Sequence, residues 1–127
     1  MERYLIDSNV IANFTSEKYP ENAMIWLADV IDEVPNISVI TKIEVLSWRS
    51  AITEEEISVK SFVNSSNIIA LSDAIVDECI KIRRIGKTKT PDAIIAATPI
   101  VYDFTLLTSD LGFGRIPNLK ILNPLDL

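Results

Sequence analysis

Residues 4–11 read YLIDSNVI, and this stretch places an apolar strand directly before the start of a helix. The run at 3–6 predicts a short strand that ends at Asp7, and a helix is predicted to begin near Ser8 or Asn9. Asp, Ser and Asn favour helix amino termini because their side chains accept hydrogen bonds from unpaired backbone amides. The stretch therefore predicts one strand–helix unit.

The same alternation continues to the carboxyl terminus. Further strands are predicted at 37–40, 68–71, 105–108 and 120–122, and helices at 22–33, 42–48, 54–64, 73–85 and from Pro91 onward. Strands separated by helices favour a mostly parallel central sheet with helices on both faces. With 127 residues and 48% hydrophobic content, the chain can bury one core. We therefore predict an α/β fold formed by a single domain over residues 1–127.

The composition of the chain argues against several classes of protein and excludes several kinds of site. No apolar run approaches the roughly 20 residues needed to span a bilayer, and Glu2 and Arg3 do not begin a secretory signal, so we expect a cytoplasmic protein without a membrane segment. The single Cys79 cannot form an internal disulfide, and its helical context predicts a buried thiol. The absence of histidine excludes Ser-His-Asp and Cys-His sites and histidine-ligated zinc.

Four acidic residues stand where apolar runs end or helices begin. They are Asp7 in YLIDSNVI, Glu44 in SVITKIEVL, Asp92 in KTPDAIIAAT and Asp110 in LLTSDLGFG. Sites in parallel sheets form beyond the carboxyl ends of the strands, so these positions are expected on one edge. Crowded carboxylates repel one another, and a hard cation such as Mg²⁺ or Mn²⁺ relieves that repulsion. The sequence therefore indicates a candidate metal site.

Two of these acids also fit purely structural roles. Asp7 suits a helix cap, and Thr41 with Glu44 fits a capping box in which the glutamate reaches back to the threonine amide. Asp73 follows an apolar run and begins a helix in the same way, so position alone does not identify a catalytic acid.

The other two acids have similar alternatives. Thr90-Pro91-Asp92 resembles an ordinary helix start, with Thr90 as the cap and Asp92 beside the positive end of the helix dipole. Asp110 fits a turn residue.

The charge of the chain is acidic overall but uneven. A net charge of −6 argues against a general nucleic-acid coating protein, which needs a basic surface. Five cations precede Asp92 within nine residues that contain no acid, at Lys81, Arg83, Arg84, Lys87 and Lys89. This segment fits either a solvated helix end or a patch that attracts phosphate to the site.

Taken together, these strings resemble PIN-domain ribonucleases, and the length of the chain is similar to that of VapC-type toxins of bacterial toxin–antitoxin pairs. The resemblance covers essentially the whole chain and rests on Asp7-Ser8-Asn9, the Glu44 segment, PDAIIAAT at 91–98, and Leu107-Thr108-Ser109-Asp110 followed by Phe113. It implies a parallel sheet flanked by helices. Carried over by position, it implies metal-binding acids at Asp7, Glu44, Asp92 and Asp110, with Asn9 and Thr108 as polar support.

Two features depart from the family pattern. Pro99 stands where the family usually continues with a helix former, so we expect a kink or repacking there. Leu111-Gly112 replaces the charged residue that often precedes the aromatic, which predicts altered substrate contact.

The function implied by the resemblance is hydrolysis of RNA phosphodiester bonds assisted by one or two Mg²⁺ or Mn²⁺ ions. It also implies a homodimer and a small antitoxin partner. The cations expected to contact RNA phosphates are Lys42, Arg83, Arg84, Lys87, Lys89 and Arg115. Three alternatives remain open at this point: a housekeeping PIN nuclease, a phosphoacceptor regulatory α/β domain in which Asp7 takes up phosphate, and a non-catalytic binding module.

Overall fold

A computed structural model describes residues 2–127 and shows strands alternating with helices. The strands are β1 (Tyr4–Ile6), β2 (Asn36–Ser38), β3 (Asn67–Ile69), β4 (Thr105–Leu107) and β5 (Ile121–Leu122). The α-helices are α1 (Ser8–Thr15), α2 (Glu21–Asp32), α3 (Val39–Leu46), α4 (Thr53–Asn64), α5 (Asp73–Ile85) and α6 (Thr90–Tyr102). Two 3₁₀-helices, η1 (Leu111–Arg115) and η2 (Pro124–Asp126), complete the set.

The strands form one sheet in the order β3-β2-β1-β4-β5, and all four pairings are parallel. Successive strand residues point to opposite faces of the sheet, and each face has its own core. Leu5 and Leu106 pack with residues of α5 and α6, whereas Ile6 and Leu107 pack with residues of α1, α2 and α4. The predicted α/β fold, with a parallel sheet and helices on both faces, is confirmed.

The region around β2 differs from the sequence-based prediction. The strand ends at Ser38, whose hydroxyl accepts a hydrogen bond from the Ile40 amide and caps α3. Thr41 therefore lies inside the helix, so the predicted capping box with Glu44 is wrong. The β-branched residues at 39–41 suggested a longer strand, but the cap at Ser38 and packing of the helix determine the boundary.

Helix α6 also begins and ends differently from the prediction. It begins at Thr90, with Lys89 at the cap position, so the predicted capping role of Thr90 is wrong. The helix continues past Pro99 to Tyr102, although proline cannot donate a backbone hydrogen bond. Burial of every residue from 93 to 99 stabilises this segment, and Asp103, at φ 57°, ends it.

Two further expectations concern the burial of Cys79 and membrane-spanning helices. Cys79 is 7% exposed and belongs to the core, as predicted. Within residues 2–127, no helix has the length and apolar character needed to cross a membrane.

Candidate active site

The candidate site lies where β1 and β4 run side by side at the centre of the sheet. The chain proceeds from β1 to β2 and β3 on one side and then returns to β4 on the other. Such a reversal leaves a crevice beyond the carboxyl ends of the two strands, which is the usual site of ligand binding in open α/β sheets. Asp7 directly follows β1 and Thr108 directly follows β4, and the Asp7 amide donates to the Leu107 carbonyl at 3.0 Å.

The carboxylate of Asp7 is 4% exposed and held by three hydrogen bonds. Its Oδ1 accepts from the Ser8 amide at 2.8 Å. Its Oδ2 accepts from Asn9 Nδ2 at 2.9 Å and from the Thr108 hydroxyl at 2.8 Å. A carboxylate offers about four lone-pair positions. Asp7 therefore retains one acceptor position, on Oδ1.

Asn9 and Thr108, the two residues to which the resemblance assigns polar support, form a bridge between the two strand ends. Asn9 Nδ2 also donates to Thr108 Oγ1 at 3.1 Å, and Asn9 Oδ1 accepts from the Ser109 amide at 2.9 Å. Thr108 Oγ1 additionally accepts from the Asp110 amide at 3.0 Å. Because these contacts use most of the hydrogen-bonding capacity of both side chains, they hold Asp7 and the Asp110 loop in fixed relation.

The loop after β4 is supported by two residues that sequence reasoning did not place at the site, Tyr19 and Asn123. The Ser109 hydroxyl lies 2.8 Å from the Tyr19 hydroxyl and donates to Asn123 Oδ1 at 2.9 Å. Tyr19 precedes α2 and Asn123 follows β5, so these contacts connect segments about 90 and 14 positions away in sequence. No local pattern marks such partners, because only the folded chain brings them together.

Glu44 reaches the site from α3. The Ser8 hydroxyl donates to Glu44 Oε1 at 2.8 Å, while the Ser8 amide donates to Asp7. The sequence suggested that Ser8 was a turn or cap residue. The structure shows that it also connects two of the candidate metal ligands.

Asp92 and Asp110 occupy the opposite side of the site and line one cleft. Asp92 is half-buried in the first turn of α6, and Asp110 is exposed at the start of η1. Asp110 Oδ1 accepts from the Gly112 amide at 2.9 Å. A Cβ atom at position 112 would lie 3.1 Å from that oxygen. Glycine at this departure from the family pattern therefore allows the carboxylate to fold back onto the backbone.

The four acids influence one another electrostatically. Burial raises the pKa of Asp7, and the charges of Glu44 and Asp92 raise it further, against the hydrogen bonds from Thr108 and Ser8. Burial and the charge of Asp110 raise the pKa of Asp92, against the charge of Lys89. Asp7 and Asp92 thus carry negative charge at a cost to the metal-free protein.

This cost predicts a pH dependence of stability in the absence of metal. A carboxyl with a raised pKa binds protons more tightly when folded, so stability falls as pH rises from the ordinary value of 3.8 through the raised values of Asp7 and Asp92. We expect the urea midpoint, measured with a chelator present, to be lower at neutral pH than at mildly acidic pH. The Asp7→Asn variant should show a weaker dependence. A midpoint that rises toward neutral pH would contradict this expectation.

The residues fit a hard divalent cation by donor chemistry. The site offers carboxylate oxygens, which Mg²⁺ and Mn²⁺ prefer, and a cation would offset the repulsion that raises the pKa values of Asp7 and Asp92. Over residues 2–127, no three acidic side chains already converge on one ion position. Glu44 and Asp92 are half-buried, and Asp110 is exposed.

The six cations predicted to contact RNA phosphates separate into groups. Lys87, Lys89 and Arg115 line the cleft of Asp92 and Asp110. Arg83 and Arg84 line a different cleft, and Arg83 Nε donates to the Thr88 carbonyl at 3.3 Å. Lys42 is exposed on α3.

The architecture and sequence of the chain are similar to those of known proteins. A family model for the PIN domain matches residues 4–119. The fold is similar to that of VapBC from Salmonella typhimurium in a DNA-bound crystal structure, with 20% identity over 98% of this chain and 99% of that one and a TM-score of 0.81. It is also similar to VapBC2 from Rickettsia felis bound to a promoter DNA fragment, with 22% identity over 94% and 97% of the two chains and a TM-score of 0.78.

A toxin–antitoxin complex from Klebsiella pneumoniae gives 26% identity over 95% of this chain and 97% of that one, with a TM-score of 0.74. No curated protein matches the chain in sequence. The family model covers most of the chain, and the parallel sheet agrees with it. This protein therefore belongs to the PIN domain family.

Proposed function

We propose that this protein is a divalent-metal-dependent ribonuclease that acts as the toxin of a toxin–antitoxin pair in the cytoplasm. The observation that carries the proposal is the buried Asp7 carboxylate, which retains one free acceptor position and is influenced electrostatically by Glu44 and Asp92. A structural cap does not require this crowding, because Ser or Thr would cap the helix without charge. Membership of the PIN family supports the same conclusion.

In the proposed mechanism, Asp7, Glu44, Asp92 and Asp110 hold one or two Mg²⁺ or Mn²⁺ ions. When bound, such an ion would supply Lewis-acid chemistry, polarising a phosphoryl oxygen and making a water molecule acidic enough to serve as the nucleophile. Asn9 and Thr108 keep Asp7 oriented through hydrogen bonds to Oδ2, which leaves one Oδ1 acceptor position available to hold an ion. Positioning of this kind typically changes metal affinity or activity by 10–100-fold.

The toxin role and its partners are supported by similarity rather than by contacts within this chain. The matching structures from Salmonella typhimurium, Rickettsia felis and Klebsiella pneumoniae are toxin–antitoxin complexes. We propose that this chain likewise binds a small antitoxin and forms a homodimer. Induced expression in bacteria should arrest growth, and co-expression of the antitoxin encoded beside it should restore growth. Undisturbed growth would favour the housekeeping nuclease.

The geometry disfavours the phosphoacceptor alternative. An aspartate that accepts phosphate must accommodate a phosphoryl group, which is bulkier than a metal ion, whereas Asp7 is 4% exposed and has one acceptor position left, on Oδ1. Incubation with a small phosphodonor should leave the mass of the protein unchanged.

The function is tested by stripping the protein with a chelator and titrating it with Mn²⁺ or Mg²⁺ in a calorimeter, while RNA cleavage is followed in parallel. We expect cleavage to return as the ion binds, and single-stranded DNA of the same sequence serves as a substrate control. Cleavage that persists in the chelator, or ion binding without cleavage of any RNA, would overturn the proposal.

Ser8 provides a further test of the site. The Ser8→Ala substitution removes the hydrogen bond to Glu44 but keeps the amide that holds Asp7. We expect ion affinity and kcat/KM to fall by about tenfold, and stability to change by no more than about 1 kcal/mol. Ser8→Thr should restore activity. Ser47→Ala is the matched control, because that hydroxyl donates to the Ile43 carbonyl on exposed α3. Equal losses in both Ala variants would contradict the assigned role of Ser8.

A further inference from the structure

The cleft beside Asp92 and Asp110 extends well beyond the two acids. Its volume is about 600 Å³, which lies within the range of small-molecule sites. The loop that joins α5 to α6 forms one wall, with Lys87 and Lys89, and η1 with the residues after it forms the other, with Arg115. The cleft therefore combines carboxylates at the candidate catalytic centre with cations on both walls.

The cations of this cleft are available to bind phosphate, because in the part of the chain that the structure describes they are not engaged in salt bridges with acidic side chains. Lys89 stands at the cap position of α6, and Asp92 lies in the first turn of that helix, so the lysine and the carboxylate line the same end of the cleft. The salt bridge that the structure shows joins Lys120 to Asp103, so it does not involve Lys87, Lys89 or Arg115. Three exposed cations beside a site for phosphodiester cleavage are well placed to contact the phosphate next to the one that is cut.

The cleft also contains apolar surface between its charged walls. Ile85, at the end of α5, is 69% exposed, and Pro117 is exposed on the opposite side. Phe113 and Ile116, which are 3% and 8% exposed, lie beneath them and belong to the core. An apolar surface beside phosphate-binding cations matches the two parts of a nucleotide, because the base presents a flat, weakly hydrated face.

We propose that this cleft is the subsite for a nucleotide that adjoins the scissile phosphate of single-stranded RNA. Lys87, Lys89 and Arg115 bind its phosphate, and its base packs against Ile85 and Pro117. A base in duplex RNA is paired and stacked, so packing of a base in this cleft requires an unpaired nucleotide. The proposal rests on the nuclease function proposed above.

The phosphate contacts are tested by fluorescence anisotropy with a labelled single-stranded RNA oligonucleotide of mixed sequence, in a chelator that prevents cleavage. Each lost contact should reduce the dependence of log K on log salt by about 0.7, which is about fivefold in affinity at roughly 0.1 M salt. We expect this for Lys89→Gln and Arg115→Gln. Arg84→Gln is the matched control, since it removes the same charge from a different cleft. Equal effects in all three variants would overturn the subsite.

The base contact is tested with cleavable RNA that carries a single abasic nucleotide at successive positions around the cut. For the wild type, kcat/KM should fall by about fivefold when the abasic nucleotide occupies the adjoining position on one side. Ile85→Ser should remove this difference, whereas Ile57→Ser, at 60% exposure on α4, should keep it. A difference that survives in Ile85→Ser would contradict base binding by the cleft.

The outcomes separate this proposal from the function on which it rests. One outcome would refute the subsite and retain the nuclease. In that case RNA cleavage depends on Asp7, but the Lys89→Gln and Arg115→Gln variants bind RNA as Arg84→Gln does. The opposite outcome would refute the nuclease and retain the subsite as an RNA-binding site. In that case RNA binding weakens in Lys89→Gln and Arg115→Gln, but the wild type cleaves no RNA with any divalent ion. Duplex RNA that binds as tightly as the single strand would refute base binding by the cleft.

Discussion

The Asp7→Asn variant is expected to lose RNA cleavage by about 1,000-fold or more. Asp7 supplies the free Oδ1 position and the charge around which Glu44 and Asp92 are arranged. Neutralising the Asp7 carboxylate weakens binding of the ion. Because an ion contributes several kcal/mol of transition-state stabilisation, and about 1.36 kcal/mol is a factor of ten in rate, its loss reduces the rate strongly. The measurement is kcat/KM with saturating Mn²⁺, accompanied by calorimetric titration of the ion.

Asp73→Asn is the matched control for this substitution. Asp73 also follows an apolar segment and stands in the first turn of a helix, but it is exposed at the start of α5. We expect its activity to equal that of the wild type. Thermal unfolding of both variants distinguishes a defective site from a defective fold. Full activity in a folded Asp7→Asn variant would refute the proposed metal site.

The Thr108→Val variant is expected to lose both stability and activity while the shape of the side chain is nearly preserved. The hydroxyl is 1% exposed, donates to Asp7 Oδ2, and accepts from Asn9 Nδ2 and the Asp110 amide. Valine leaves the Asp110 amide without its partner and removes one of the two hydrogen bonds to Asp7 Oδ2 and one of the two from Asn9 Nδ2. We expect the free energy of unfolding to fall by about 2–3 kcal/mol, and kcat/KM to fall by about 10–100-fold. Urea unfolding and single-turnover cleavage measure the two effects.

Thr105→Val, on the same strand, is the control for Thr108→Val. Thr105 is 4% exposed, and its hydroxyl donates to Glu2 Oε1 at 2.7 Å, at the opposite end of β4. It should retain activity, and Thr108→Ser should regain most of the activity lost in Thr108→Val. Equal inactivation of Thr105→Val and Thr108→Val would show that β4 packing, rather than the Thr108 hydroxyl, determines activity.

The fold followed from the sequence to a large extent because its determinants are local. Apolar runs separated by amphipathic segments predicted the order of strands and helices, and α5 was predicted at its observed bounds, 73–85. The main differences lie at α3 and α6. The strand at β2 ended earlier because Ser38 caps the following helix, and α6 continued past Pro99 because buried contacts along its whole length compensate for one missing backbone hydrogen bond.

The site was predicted only in part. The position of Asp7 at the end of a strand was predicted, and its burial was not. Asn9 and Thr108 donate hydrogen bonds to Asp7 in the structure, while their support of a metal site stays a prediction. The contacts of Ser8 with Glu44 and of Tyr19 with Ser109 could not be anticipated, because each joins segments far apart in the chain.

The sequence by itself determined the α/β class, the single buried cysteine, the absence of histidine chemistry, and the placement of Asp7, Asp92 and Asp110 at strand ends or helix starts. These properties depend on composition and on short-range periodicity. Glu44, which was predicted near a helix start, lies instead in the last turn of α3. Tertiary structure decided which side of the sheet each helix covers, how three of the six candidate cations come to face Asp92 and Asp110, and which hydroxyls hold the carboxylates. Those features depend on the strand order β3-β2-β1-β4-β5, because that order places β4 beside β1 although about 100 residues separate them in the chain.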